Sequence, residues 1–339
     1  MFKYRNFVTN VYSYDLSDKE IYYISTDKEV IRYENGIGNN ILKLSCLCHI
    51  LLFQNKLYIS DPSDLINTYC IDLKTNKISR NFSEEGVKFF DLYGAYESGK
   101  IGLRFKNGNY SVYDIEQDII LSTFPVSFSL VYLFDGNHSF FRSKQSNTLH
   151  SYVESTKLWE LDLTGYGNLI KIFGIVDNVL WLWCEDYYFI GVDVSSGSIK
   201  KVWEVFDGVY ERKSFLYNFP HFDKEEGKVY YLERSTYVEI DLRGLTTKVL
   251  WEDKDLKLDI IGPYFTKDMV YFSGAIRPSV FSNIIGVFDR KKMQVVWQDK
   301  IQLVSGDSLW TPRFCDDKLY VQDSGYNLHI YEKSDASLS

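Results

Sequence analysis

The stretch Val192-Asp193-Val194-Ser195-Ser196-Gly197 leads through Lys200 to Trp203-Glu204, and it shows how the chain repeats itself. An apolar run ends in an acidic residue, a polar turn follows, and a second run ends in tryptophan followed by Glu or Gln. Four successive copies carry this tryptophan, spaced 44, 48 and 46 residues apart, at Trp159, Trp203, Trp251 and Trp297. A self-similar period of this length indicates one small β-sheet in each repeat.

A second marker, a polar turn followed by alternating apolar residues, recurs eight times along the chain. Its copies begin at Lys19, Asn55, Gly99, Gly136, Asn178, Gly227, Asp268 and Asp317. Polar turns before alternating strands are typical of β-hairpins. Because another apolar run precedes each marker and further runs follow it, each period holds four short strands, the pattern of an antiparallel meander.

Repeated four-stranded antiparallel sheets predict an all-β fold, a β-propeller, in which neighbouring blades bury both faces of each sheet. The aromatic share of 17% fits such packing, and no linker divides the chain, so we expect one domain over residues 1–339. The last unit has only three strands, and the stretch from Phe2 to Phe7 is expected to supply its outermost strand and close the ring. Eight blades are favoured. Seven is the alternative if the first unit, with its weak fourth strand around Ile41 to Leu44, is irregular.

The repeat resembles that of quinoprotein-like propellers, which carry pyrroloquinoline-quinone-type repeats. The shared pattern is an apolar residue, Tyr, Asp, a turn, Lys and Trp, and its best copy runs from Val179 to Trp203. The resemblance extends over the whole chain and is strongest in residues 150–335. It implies a bacterial origin and a tryptophan that docks into the neighbouring blade. It does not extend to quinone chemistry, because the family's adjacent cysteines and calcium-binding set have no match here, so we expect no quinone and no other cofactor.

Charge and cysteine content narrow the classes of function. A net charge of −8 argues against a nucleic-acid-binding surface, which needs clustered Lys and Arg. Solubility accounts for the acidity, and a basic protein partner is the alternative. Cys46 and Cys48 point to one face of a strand with only His49 nearby, so we expect reduced thiols and no metal site. Lacking an export signal and an apolar span, the chain is expected in the cytoplasm, with no membrane partner.

One group of candidate binding residues follows prolines in the last units of the chain. His221, Tyr264 and Arg313 each come directly after a proline, on what should be the innermost strand of a blade. These three residues, together with Trp310, are expected to line one sector of the channel mouth as a pocket for a ligand or a partner's side chain. An ordinary water-filled channel is the alternative interpretation.

A second candidate group lies in a turn that is both aromatic and acidic. It consists of Trp183, Glu185, Asp186 and Tyr187. Aromatic and charged side chains on a propeller face suit a protein interface. Burial between blades explains Trp183 equally well, so both interpretations stay open.

The sequence holds no catalytic motif of a known kind. None of its five histidines falls in an HExxH pattern, and there is no GxSxG or Walker loop. We therefore expect a non-enzymatic scaffold for a protein partner, for example a bacterial immunity or accessory protein that neutralises a toxin-like partner. The alternative is a propeller that binds carbohydrate or another small molecule, or a glycan-active enzyme with paired carboxylates at the channel mouth.

Overall fold

The fold is a closed ring of small sheets. The computed structural model describes residues 1–17, 20–60, 68–91, 99–124, 128–143, 146–185, 188–206, 220–252, 258–277, 279, 281–303, 306 and 308–334, with the backbone alone at 88–91 and 128–130. Within these residues, 32 strands form eight four-stranded antiparallel sheets, and a short 3-10 helix spans Thr164–Tyr166.

Seven of the sheets each use four consecutive strands, with the first strand nearest the ring axis. Blades 1 to 4 comprise β2 (Val11–Leu16), β3 (Ile21–Ser25), β4 (Glu29–Glu34) and β5 (Ile37–Lys43); β6 (His49–Phe53), β7 (Lys56–Ser60), β8 (Thr68–Asp72) and β9 (Lys77–Asn81); β10 (Val87–Asp91), β11 (Lys100–Phe105), β12 (Tyr110–Asp114) and β13 (Ile119–Phe124); and β14 (Phe128–Asp135), β15 (His138–Ser143), β16 (Thr148–Val153) and β17 (Thr156–Asp162). Blades 5 to 7 comprise β18 (Leu169–Val176), β19 (Val179–Cys184), β20 (Tyr188–Asp193) and β21 (Ile199–Glu204); β22 (His221–Asp223), β23 (Lys228–Glu233), β24 (Thr236–Asp241) and β25 (Thr246–Glu252); and β26 (Leu258–Phe265), β27 (Met269–Ile276), β28 (Ile284–Asp289) and β29 (Gln294–Lys300).

Blade 8 joins the two ends of the chain. It consists of β30 (Arg313–Cys315), β31 (Lys318–Gln322), β32 (Leu328–Lys333) and, as its outermost strand, β1 (Phe2–Val8). β1 runs antiparallel to β32, with Phe2 opposite Lys333 and Val8 opposite Leu328. The prediction that the N-terminal strand closes the ring is therefore confirmed. The first unit has a regular fourth strand, β5, so the count is eight blades and not seven.

Polar residues in the left-handed region make the tight hairpin turns. Asp177 and Asn178, at φ 50° and 63°, form the two-residue turn between β18 and β19. Asp316 and Asp317 do the same between β30 and β31, at φ 47° and 54°. Asp and Asn tolerate this conformation better than other residues with a Cβ, and such turns match the twist of antiparallel strands.

The core of the protein lies between the blades. Each of the eight contacts between adjacent blades holds its own cluster of buried apolar side chains, in the part of the chain that is described. Across the closure, Val8 and Leu328 of blade 8 pack with Val11 and Ile21 of blade 1. A ring of similar interfaces has no exposed end, which removes the need for capping repeats.

The repeated tryptophans hold outer strands to the following blade, as the resemblance implies. On β17, Trp159 donates a hydrogen bond from Nε1 to the carbonyl oxygen of Val194 in blade 5, at 2.8 Å. Its ring covers Gly197, which has φ +72°, and a Cβ at Gly197 would lie 2.6 Å from that ring. Farther round, the Trp251 ring centroid lies 5.0 Å from that of Phe288 in the next blade.

Candidate functional site

A buried carboxylate ties together the innermost strands on either side of the ring closure. Asp15 on β2 is 1% exposed, and its Oδ1 lies 2.8 Å from Nη2 of Arg313 on β30. Its Oδ2 accepts a hydrogen bond from the backbone N–H of Leu52 on β6, at 2.6 Å. One side chain thus links blades 8, 1 and 2 at the channel wall, and Arg313 serves as its counter-ion.

Tyr264 lies in the same sector of the channel as Arg313. The Arg313 guanidinium carbon is 5.8 Å from the ring centroid of Tyr14. Burial raises the pKa of Tyr14 to about 12 against the opposing charge of Arg313, while the nearby Asp15 and Tyr264 add to the rise. Tyr14 therefore stays a neutral phenol at physiological pH. The structure brings two of the predicted channel residues, Tyr264 and Arg313, into one packed, largely structural group.

His221 lies in a different sector, where it borders a cavity of about 740 Å³. Its ring stacks on that of Phe265, with centroids 5.2 Å apart and planes 8° from parallel. Burial, followed by the charges of Arg290 and Lys171, lowers the pKa of His221, so its ring is neutral at pH 7. Among the described residues, those that line the cavity come from blades 3 to 6, and Tyr264 and Arg313 are not among them.

Three lysines that sequence reasoning did not single out border this channel cavity: Lys100, Lys171 and Lys224. Lys171 Nζ lies 3.3 Å from the carbonyl oxygen of Pro220, and Lys100 Nζ lies 2.5 Å from that of Gly136. The signal for Lys171 was present in the sequence, since it interrupts the apolar run Leu169-Ile170-Lys171-Ile172-Phe173 on an innermost strand. Such an interruption indicates a side chain that faces the channel instead of a neighbouring blade.

Trp310 lies on the face of the ring where the innermost strands begin, here called the upper face. Backbone hydrogen bonds join the connectors of three blades there: Leu309 N to Ser282 O at 2.7 Å, Trp310 N to Gln322 O at 2.8 Å, and Val11 N to Tyr326 O at 2.8 Å. This ladder places Phe281, Trp310, Tyr326 and Tyr12 in sequence across blades 7, 8 and 1. We call these four residues the aromatic ridge.

The aromatic ridge is open to solvent. Phe281 is 52% exposed, Trp310 48% and Tyr326 37%, and the Tyr326 and Tyr12 ring centroids are 6.0 Å apart. Exposed aromatic rings lose unfavourable contact with water when another surface covers them. Chemically, the ridge is suited to binding a macromolecule, and sequence reasoning found only its Trp310.

A buried acid fixes the turn that carries Tyr326. Asp323 accepts hydrogen bonds from the backbone N–H of Asn327, at 2.9 Å, and its Oδ2 lies 3.0 Å from Nε2 of His329. Burial alone would raise the pKa of Asp323, but the hydrogen bonds from His329 and Asn327 outweigh it and lower that pKa. The turn is therefore held by an ionised, fully enclosed carboxylate.

The second predicted group lies at the end of β19. Trp183 is buried, and its ring is nearly parallel to that of Phe173 at 6.4 Å, so it packs within its blade interface as the alternative interpretation holds. Glu185 is exposed and accepts hydrogen bonds from the side chain and backbone of Asn168, which lower the pKa of Glu185. Asp186 and Tyr187 lie outside the described residues.

The cysteines are free thiols, with Cys46 Sγ and Cys48 Sγ 3.5 Å apart. Across the described ranges, no group of three or more His, Cys, Asp or Glu side chains is arranged to hold a metal ion. A search of the same ranges finds no helix with the length and apolar character needed to cross a membrane.

Comparisons with known proteins bear on the fold alone. No family model matches the chain, and no curated protein matches its sequence. Among solved structures, it is similar to the C-terminal WD40 domain of Sif2 (10% identity, 98% of this chain and 99% of that one, TM-score 0.64). It is also similar to the computationally designed Ika8 protein (12% identity, 96% of each chain, TM-score 0.56) and to BamB from Moraxella catarrhalis (12% identity, 100% of each chain, TM-score 0.55). The chain is thus an eight-bladed β-propeller.

Proposed function

We propose that this propeller is a non-enzymatic scaffold that binds a protein partner through the aromatic ridge. The observation that carries the proposal is the exposure of Phe281 and Trp310 on adjacent connectors that are fixed by backbone hydrogen bonds. Trp and Tyr dominate the binding energy of protein interfaces, and each large ring buries roughly 150–250 Å² when covered. A preformed ridge also avoids the entropy cost of ordering loops on binding.

The charge of the chain supports a basic partner. A net charge of −8 attracts a cationic protein over long range and speeds its encounter with the ridge. In its concrete form, the proposal is a bacterial, cytoplasmic immunity or accessory protein that neutralises a toxin-like basic partner. The likeness to BamB supports a quinoprotein-like origin for the repeats, with the scaffold kept and the quinone chemistry absent.

The test is partner capture from the native host with matched variants. Wild-type protein should retain a stoichiometric partner, and Phe281→Ala combined with Trp310→Ala should lose it. The control is Ile78→Ala, since Ile78 is 46% exposed on the outer strand β9, away from the ridge. Retention by the double variant at wild-type level, or loss caused equally by the control, would overturn the proposal.

Salt dependence separates the two parts of the proposal. If the partner is basic, its association rate with wild-type protein should fall steeply between low salt and about 0.5 M salt, because the Debye length shrinks to a few ångströms. The dissociation rate should depend mainly on Phe281 and Trp310. An association rate that ignores salt would refute the basic partner while leaving the ridge intact.

A further inference from the structure

The channel cavity concentrates positive charge inside an acidic protein. It occupies about 740 Å³ between the innermost strands of blades 4, 5 and 6, a volume typical of small-molecule sites. Within the described residues, its lining includes three lysines, Lys100, Lys171 and Lys224, and a single carboxylate, Asp135, together with the neutral His221. The whole chain carries 46 acidic against 38 basic residues, so the sign of the charge here is reversed.

The lysines are spread along the channel and do not form one surface patch. Lys171 lies toward the upper face, half-buried, with Nζ 5.9 Å from the Phe173 ring centroid. Lys224 is at the opposite end and reaches from blade 6 to blade 4, where its Nζ is 2.7 Å from Asp135 Oδ2. A ligand in the cavity would therefore meet an ammonium group at both ends.

Apolar side chains, among them Leu133, Ile172 and Phe222, form part of the remaining walls. An ammonium group in a channel with such walls attracts an anion more strongly than the same group on an open surface, because fewer water molecules screen it. We propose that the channel cavity binds a small anion through a carboxylate or phosphate group placed at Lys171. This site is independent of the aromatic ridge.

A substitution at Asp135 should change the affinity for an anion in the opposite direction to a substitution at Lys171. The Asp135 carboxylate repels an incoming anion, and it forms an ion pair with Lys224. Asp135→Asn should therefore strengthen anion binding several-fold, by removing a repulsive charge and releasing the Lys224 ammonium group. Replacing Lys171 by Met should weaken binding about tenfold, while Lys171→Arg, which keeps the charge, should weaken it less.

The experiment is calorimetric titration of the full chain with inorganic phosphate, citrate and neutral glucose at constant ionic strength. Binding of phosphate or citrate, weakened by Lys171→Met and strengthened by Asp135→Asn, is the expected result, and the better of the two anions identifies the preferred headgroup. The matched control is Lys291→Met, a lysine 77% exposed and remote from the cavity, which should bind as the wild type does.

Three results would overturn the proposal: no anion binding, glucose binding as tightly as the anions, or equal losses in Lys171→Met and Lys291→Met. The thermal unfolding of each variant without ligand shows whether it is folded. If Lys171→Met does not fold, Lys224→Met decides in its place, because Lys224 is exposed and its loss leaves the blade interfaces intact.

Discussion

Arg313→Met tests whether the ring is fastened at the Asp15 carboxylate. The substitution keeps the length and apolar stem of the side chain and removes its charge. Asp15 would then remain buried without the counter-ion that lies 2.8 Å away. Removing one partner of a buried ion pair costs about 3–5 kcal/mol. Asp15 keeps the hydrogen bonds from the backbone of Leu16 and Leu52, so we expect the lower end, about 3 kcal/mol.

This loss converts into a measurable shift of the melting temperature. Unfolding entropy is about 2.1 cal/mol/K per residue, or about 0.7 kcal/mol/K for 339 residues, so 3 kcal/mol corresponds to about 4 °C. Arg313→Lys keeps a positive charge and should lose less than half as much. The assay is urea unfolding followed by tryptophan fluorescence, with calorimetry for the melting temperature.

The control is an ion pair on the surface that, like Arg313 and Asp15, joins a basic side chain to an aspartate. Lys291 and Asp268 are paired at 2.8 Å, but their side chains are 77% and 46% exposed. Pairs of this kind contribute about 0–1 kcal/mol, so Lys291→Met should shift the midpoint very little. If Arg313→Met and Lys291→Met behaved alike, the idea that Asp15 fastens the closure would be refuted.

Three further predictions concern the interfaces and turns of the ring. Gly197→Ala should cost about 2 kcal/mol more than Gly36→Ala in urea unfolding, because both glycines have positive φ but only Gly197 lies under the Trp159 ring; equal costs would contradict the docking role of that ring. Deleting residues 1–8 should lower the melting temperature, and a synthetic peptide of those residues should restore it; failure of the peptide would contradict closure by β1. Asp323→Asn should lose less stability than wild type between pH 4 and pH 2. The pKa of Asp323 is lower in the folded state, so its ionised form contributes stability above about pH 4, and this contribution disappears as the pH falls through the folded-state pKa. Parallel curves of unfolding free energy against pH for the two proteins would contradict this.

The scaffold was predictable because its determinants are local and repeated. The four tryptophans spaced 44 to 48 residues apart from Trp159 to Trp297 indicate blade docking, and the polar turn before each second strand indicates a hairpin. The three-stranded last unit predicted that Phe2 to Phe7 complete it, since an unpaired edge and a spare strand-like segment must both be satisfied. Sequence reasoning left the blade count open because it placed only a weak fourth strand in the first unit, around Ile41 to Leu44, whereas β5 spans Ile37–Lys43.

The site was less predictable because its residues depend on distances that no repeat encodes. Proline placed His221, Tyr264 and Arg313 correctly on innermost strands, but the sequence does not show which blades face one another across the channel. His221 borders the cavity, whereas Arg313 is engaged by Asp15, a residue nearly 300 positions away in the chain. Sequence reasoning selected Trp310 as a candidate binding residue, but it did not identify Phe281, Tyr326 and Tyr12, the other residues of the aromatic ridge.

The aromatic ridge shows why function in such a ring falls on residues outside the repeat. The backbone hydrogen bonds that hold the ridge run between connectors of blades 7, 8 and 1, where the ring closes. The connector before β30 is bonded to blade 7 on one side and to the end of β31 on the other. Closure fixes these segments from both sides, so they can carry exposed rings such as Phe281 and Trp310 without collapsing onto the core. The repeated tryptophans pack in the interfaces between blades. Side chains can differ from blade to blade only where the repeat imposes no packing requirement, and the aromatic ridge lies in such a place, beside the ring closure.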